Sequence, residues 1–276
     1  YIKKQYKKNI MKMINKLYLL LKTFINYATV PFRLFIVYML MIIGIILLKN
    51  AKSEGNINTI VSTFFKLMMF FMSLKISISN EDYIKYMRYL YSKEKFLCVF
   101  NHTTLVDGHL LFSVFPRMGI VLYNQKEFEF IAFDKNAVNK LGSILVDYNK
   151  RNGITQIIND KVKNRKSGES IIFIAPCKGV SSQNPGNISE FKSSGAFVNK
   201  SKILPITIKY EDNTLDYNKE FGESIINAYF KLFLVENYKI KIKVGDIVEP
   251  YENESIEEYK NRVYNIMNRE YKEMKV

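Results

Sequence analysis

Only two histidines, His102 and His109, occur in the 276 residues, so side chains able to exchange a proton near neutral pH are few. His102 directly follows the apolar run FLCVF within FNHTTLVDGHLL, and Asp107 stands five residues beyond it. Positions five apart on an ideal helix diverge by about 140°, so an imidazole and a carboxylate at this spacing meet only if a loop intervenes. With His102 on such a turn and Asp107 in the first turn of the next helix, the carboxylate can accept a hydrogen bond from one ring nitrogen. The other nitrogen is then left as a general base of fixed tautomer. The same stretch also spells a helix capping box, Thr104 followed three residues later by Asp107. Under that reading Asp107 stabilises a helix start and His102 closes a strand. Spacing leaves both readings open.

Other chemistries find less support. Two histidines and one aspartate without further ligands at sensible spacing make a thin coordination set, so no metal site is expected. Ser181 and Ser182 follow Gly179, but no G-x-S-x-G elbow is present. Cys177 lies between Pro176 and Lys178, and the neighbouring cation is a reason to expect a lowered thiol pKa; a packed, inert thiol is the simpler reading. Cys98 and Cys177 are too few for a disulfide framework and read as free thiols of a reducing, cytosol-facing compartment.

The elements that must position these groups form two regions. From residue 96 onward, short Ile-, Val- and Phe-rich runs at 96–100, 120–124, 143–148, 170–176 and 203–210 read as buried strands. Helix-like segments near 107–115, 134–141 and 153–166 lie between them. This alternation predicts an α/β domain over 79–276: a mostly parallel central sheet flanked by helices, with ligands gathering beyond the carboxyl ends of the strands, where His102 falls. IKIKVGDIVEP (240–250) reads as an edge strand. Ile256, Tyr259, Val263, Ile266, Met267, Tyr271 and Met274 follow helical spacing and predict a closing amphipathic helix.

Residues 1–78 differ. The first 53 hold ten Lys or Arg and no acidic residue, so most of the net charge of +15 sits at one end. Leu34–Leu48 carries no charge over fifteen residues, and Ile60–Leu74 only Lys66. Cations flank the first run, and no small-residue cleavage site of the signal-peptide kind follows it. A membrane-binding helical hairpin turning over Asn50–Asn58, with its ends at a cytosolic face, is the expectation. Basic residues that lead into apolar stretches fit anionic lipid headgroups better than nucleic acid, and no nucleic-acid partner is expected.

The run NHTTLVD resembles the Asn-His-x4-Asp signature of the glycerophospholipid acyltransferases, the lysophosphatidate acyltransferase-like superfamily. Further segments follow in that family's order. LGSILVDYNKRNG (141–153) is similar to its second motif, SIIFIAPCKGVSS to its third, FKSSGAF (191–197) to the segment beyond, and ILPITIKY to its fourth strand. The resemblance spans roughly residues 80–250, behind a membrane-binding helical region.

It implies transfer of a fatty acyl group from a thioester such as acyl-CoA to the free hydroxyl of a lysophospholipid such as lysophosphatidate. His102 would be the base, Asp107 its partner, and the thioester a co-substrate with no cofactor besides. It further implies a membrane location with the catalytic domain facing the cytosol, in a eukaryotic host an endoplasmic-reticulum-type membrane. Asn101, Lys150, Arg151, Lys178, Gly179 and Lys192, in or beside the motifs, are the substrate-binding candidates, and Gly195 is expected to open a helix whose amino terminus faces an anion.

Departures cluster at the acceptor-binding positions. Tyr148 stands where the family has an arginine, Cys177 and Lys178 replace its glutamate, and Val180 replaces a threonine. A catalytically degenerate, membrane-associated lipid-binding protein is therefore the second reading.

Overall fold

A computed structural model describes residues 2–51, 53–123, 141–146, 153–177, 186–193, 195–218 and 222–276. Helix α1 (Ile2–Asn50) runs unbroken for 49 residues with Pro31 inside it. The turn expected over Asn50–Asn58 is tighter than that, because α2 (Glu54–Phe71) starts at once, capped by the Ser53 hydroxyl, which accepts the Asn56 N–H at 3.2 Å. The two helices form a hairpin. Helix α1 buries a narrow stripe of Val30, Arg33, Val37, Gly44 and Leu48 at helical spacing. At Gly44 an added Cβ would come within 3.1 Å of the Phe64 ring, so glycine is what lets the helices close there. Its other faces display large apolar side chains, among them Leu17, Phe24, Phe32, Phe35 and Ile46. Among the described residues, Met11–Leu48 is the one segment long and apolar enough to cross a membrane, by length and composition.

Arg33 and Asn26 fasten this helix to the rest of the protein. The Arg33 guanidinium donates Nε–H to the Phe71 carbonyl at the end of α2 (2.6 Å) and Nη1–H to Asn26 Oδ1 (2.8 Å). Asn26 in turn donates to the carbonyl of Leu234, the last residue of α6 (Ile225–Leu234), at 3.1 Å. Carbonyls left over at two helix ends are thus satisfied from the side.

Beyond the hairpin lies a seven-stranded sheet in the order β1-β7-β6-β2-β5-β3-β4. Its strands are β1 (Leu74–Ile78), β2 (Phe96–Phe100), β3 (Met118–Tyr123), β4 (Ile144–Val146), β5 (Ile171–Ile174), β6 (Lys202–Tyr210) and β7 (Tyr238–Val244). All neighbours are parallel except β6 and β7. The α/β expectation is met. Two placements differ from it.

First, β7 is not an edge strand, since β1 pairs with it from Leu74↔Tyr238 to Ile78↔Ile242. Second, those β1 residues, read from sequence as the end of the membrane-associated region, belong to the sheet. One apolar core joins the hairpin to the sheet, with Ile57, Phe65 and Met69 of α2 packed among Leu110, Phe173 and Ile242.

That core includes residues of α3 (Asn80–Leu90) and α4 (Asp107–Val114). A second core holds residues of α5 (Ile154–Asn164) and α7 (Ile256–Glu273), with Tyr259, Val263 and Met267 fully buried. Helices therefore sandwich the sheet. The helix expected near 134–141 lies outside the described residues.

Candidate active site

The site begins where β2 ends. Phe100 pairs with Ile206 of β6, and the next residue, Asn101, carries the pairing on with its side chain. Its amide accepts the Ile208 N–H at 2.7 Å and donates to the Ile208 carbonyl at 2.8 Å. A carboxamide has the donor and acceptor of a peptide group, so it extends the ladder by one step while the main chain leaves the sheet. Asn101 is fully buried with both ends of its amide engaged in this way. Its observed place is a structural clasp between β2 and β6, sealed from solvent.

The chain then loops through residues 102–106 and enters α4 at Asp107. The required geometry is present: His102 Nδ1 lies 2.7 Å from Asp107 Oδ2, with the carboxylate wholly buried and a quarter of the imidazole side chain exposed. Four further donors converge on that carboxylate. Backbone N–H groups of Thr103 and Thr104 reach Oδ2 at 2.6 and 2.9 Å. The Thr104 hydroxyl reaches Oδ1 at 3.3 Å, and the Tyr210 phenol donates to the same oxygen.

Because every partner is a donor, the buried charge is spread over five hydrogen bonds, and the helix amino terminus adds a favourable dipole. Nδ1 therefore carries the ring proton in the neutral imidazole, and Nε2 is the free base.

Of the two readings left open by spacing, the capping box is not met: α4 is capped at Val106 without a side-chain bond, which puts Asp107 at the first helical position. Asp107 does accept the Thr104 N–H while holding His102, and the Thr104 hydroxyl accepts the Val106 N–H at 3.2 Å, so these bonds order the loop ahead of the helix.

His109 points elsewhere. It packs edge-on to Phe65 and Tyr229, with centroids 4.8 and 6.4 Å away, and its Nδ1 is sealed from water without a partner. Burial lowers its pKa from the usual 6.5 to about 4, outweighing a hydrogen bond to the Leu105 backbone and the charge of Asp107. His109 is neutral at neutral pH and sits in an apolar layer.

Cys177 is brought to the site, but not as the activated thiol that a neighbouring lysine suggests. The His102 backbone N–H bonds to its sulfur, yet burial dominates and pushes the thiol up to about 11. It is a neutral, weakly polar neighbour of the base. An isolated bridge joins Cys177 to Phe191, and the Lys192 N–H donates to the Pro176 carbonyl at 3.0 Å. Lys192 therefore begins beside the site with its side chain exposed.

Gly195 keeps a left-handed backbone (φ 73°), but bends and turns follow it rather than the helix expected there. Lys150, Arg151, Lys178, Gly179, Tyr148, Val180, Ser181 and Ser182 lie outside the described residues. No group of three or more His, Cys, Asp or Glu suited to a metal ion occurs among the described residues.

Sequence reasoning missed Tyr210. Its one signal is register: Leu204, Ile206, Ile208 and Tyr210 alternate on one face of β6, and the last, polar member falls level with the loop after β2.

No family model matches this sequence, and no curated protein matches it. Among solved structures it is similar to the crystal structure of the 1-acyl-sn-glycerophosphate (LPA) acyltransferase PlsC from Thermotoga maritima. The TM-score is 0.64 at 15% identity, over 92% of this chain and 99% of that one. The likeness extends along nearly the whole length of both proteins, hairpin and sheet together, and at this identity what it establishes is a shared fold.

Proposed function

We propose that this chain is an acyltransferase that moves a fatty acyl group from a thioester, acyl-CoA being the natural choice, to the free hydroxyl of a lysophospholipid such as lysophosphatidate. The observation that carries the reading is the 2.7 Å contact between His102 Nδ1 and a buried, fully hydrogen-bonded Asp107 at the carboxyl end of a parallel strand. Sharing the fold of a lysophosphatidate acyltransferase supports it.

An alcohol attacks a thioester slowly at neutral pH unless its proton is removed. As the acceptor oxygen bonds to the thioester carbonyl carbon, Nε2 of His102 takes the hydroxyl proton and Asp107 stabilises the imidazolium. The tetrahedral intermediate then collapses, the carbon–sulfur bond breaks, and the departing thiolate takes the proton back from Nε2. Ester and free thiol are the products. General-base assistance contributes about 10²- to 10⁴-fold, so positioning and oxyanion donors supply the remainder.

The acceptor phosphate needs cations and amide donors. Lys192 beside the Cys177 bridge, together with Lys150, Arg151, Lys178 and Gly179, is assigned that role. The exposed apolar faces of α1 and the basic amino-terminal end would seat the protein on an anionic, cytosol-facing membrane surface, where both amphiphilic substrates reside.

The test is purified protein with an acyl-CoA, vesicles containing phosphatidylglycerol and a panel of lyso-lipids, read as free thiol released. Turnover with at least one acceptor, lost in His102→Ala, is expected. Turnover that survives His102→Ala removes the base and with it the mechanism. Vesicle binding without turnover for any acceptor would favour the degenerate lipid-binding protein, the reading that the Cys177 and Tyr148 departures suggest.

A further inference from the structure

We infer that Tyr210 is a positioning residue that completes a His102–Asp107–Tyr210 relay, setting how strongly the carboxylate holds the imidazole. The two outer members come from adjacent parallel strands, His102 from the end of β2 and Tyr210 from the last residue of β6. The Asn101 clasp on Ile208 fixes the stagger between them, two residues short of Tyr210. The phenol donates to Asp107 Oδ1 and lies 3.1 Å from the Thr104 hydroxyl, which bonds to the same oxygen. Oδ2 serves His102 and the two backbone N–H groups. One carboxylate oxygen is thus given to the base and the other to side-chain hydroxyls.

Donors on one oxygen draw charge from the other, because the two share one delocalised anion. The phenol therefore competes with the imidazole for the same charge. Tyr210 is 5% exposed, and burial, reinforced by Asp107, holds its hydroxyl well above the usual tyrosine range, which favours the protonated, donating form. Space filling alone does not account for this arrangement, since phenylalanine would fill the same apolar face of β6 without a hydroxyl to satisfy. The groups facing the imidazole from neighbouring elements are Asp107 of α4, Phe100 of β2 and the neutral Cys177 thiol beyond β5, so Asp107 is the charge among these described neighbours.

The inference rests on the proposed acyl transfer only for its kinetic consequence. It is tested first without substrate, using the full chain in detergent with ¹⁵N-labelled histidine. Two imidazoles give two sets of ring signals, and His102→Ala assigns them. In Tyr210→Phe the Nδ1 signal of His102 moves downfield, because more of the Asp107 charge falls on its N–H. Incorporating 3,5-difluorotyrosine at position 210, a stronger donor, moves it upfield, while the His109 signals stay put.

On acyl transfer, Tyr210→Phe raises kcat, by at most about tenfold, with KM unchanged, because more of the Asp107 charge then stabilises the imidazolium formed as the proton is taken. Should both variants fold and the Nδ1 signal of His102 ignore them, Tyr210 is packing only and the relay is wrong. If the ring responds but no form of the protein transfers an acyl group, the relay stands and the proposed reaction falls. Turnover by the parent protein with an unresponsive ring gives the reverse.

Discussion

His102 and His109 lie seven residues apart on one stretch of chain, and the protein treats them in opposite ways. The loop before α4 and Tyr210 of β6 surround Asp107 with five donors, one of them the His102 ring, a quarter of whose side chain stays open. The body of α4 turns His109 into the layer between α2 and α6, where Nδ1 is shut off from water and finds no partner. A buried carboxylate makes an imidazole useful as a base, while aromatic neighbours make the same ring a neutral packing element. Residue type nominates a catalytic group, and its immediate surroundings decide.

The sharpest way to break this contrast is Asp107→Asn. An amide can turn its NH2 to the Thr104 and Tyr210 hydroxyls, which can accept, and its oxygen to His102 and the two backbone N–H groups, so the contacts persist but the charge is lost. His102 would lose the anion that holds its tautomer and stabilises its imidazolium. Acyl transfer should fall by about 10²- to 10⁴-fold, with a stability loss of about 1–3 kcal/mol for the weakened, formerly charge-assisted hydrogen bonds, read by thiol release and by denaturant unfolding. His109→Phe should leave turnover within about threefold. Equal losses in the two variants would abolish the distinction between the sites.

How much of this was legible beforehand differs between the two regions in the same sense. FLCVF was readable as a strand residue for residue, because a buried parallel strand is a short unbroken apolar run. The His–Asp pair was readable because the spacing demanded a loop. Tyr210 was invisible, since it reaches Asp107 only through the register between β2 and β6, and no local pattern encodes a pairing between distant segments.

β1 was lost for the same reason. LKISI ends a long apolar stretch, and only its distant partner β7 marks it as a strand. The Asn101 clasp has no mark in the sequence, because asparagine after a strand looks identical whether its amide faces a substrate or a peptide. At Cys177 the simpler reading, a packed and inert thiol, holds, because burial overrides the neighbouring lysine.

The second region can be sharpened through pH. Unfolded, His109 takes up a proton near its ordinary 6.5; folded, it resists until about 4. Between those values the unfolded chain binds more protons, so stability rises with pH across this window, is complete above 6.5 and is lost as pH falls toward 4. At pH 5 the loss is at most about 2 kcal/mol, and less given that the residue is partly exposed. The melting temperature should therefore fall by roughly 2–6 °C between pH 7.5 and 5 on this account. In His109→Phe that part of the slope should vanish. An unchanged slope would mean that the ring is hydrated in solution.

The smallest effect is expected at Cys177, a packed thiol beside the base. Its sulfur accepts the His102 backbone N–H, a bond that helps to fix the loop. Burial keeps it a thiol, whereas attack on a thioester needs the thiolate. Cys177→Ala removes one weak hydrogen bond and a small packed volume, so turnover should change by less than about threefold, with destabilisation near 1 kcal/mol. Because a thiol held near 11 is almost wholly protonated at pH 7.5, iodoacetamide should also alkylate the folded protein far more slowly at this position than the unfolded one, as peptide mapping would show. A hundredfold loss in Cys177→Ala, together with rapid alkylation of the native protein, would turn the neighbour into a nucleophile. His102 would then be activating sulfur rather than the lipid hydroxyl.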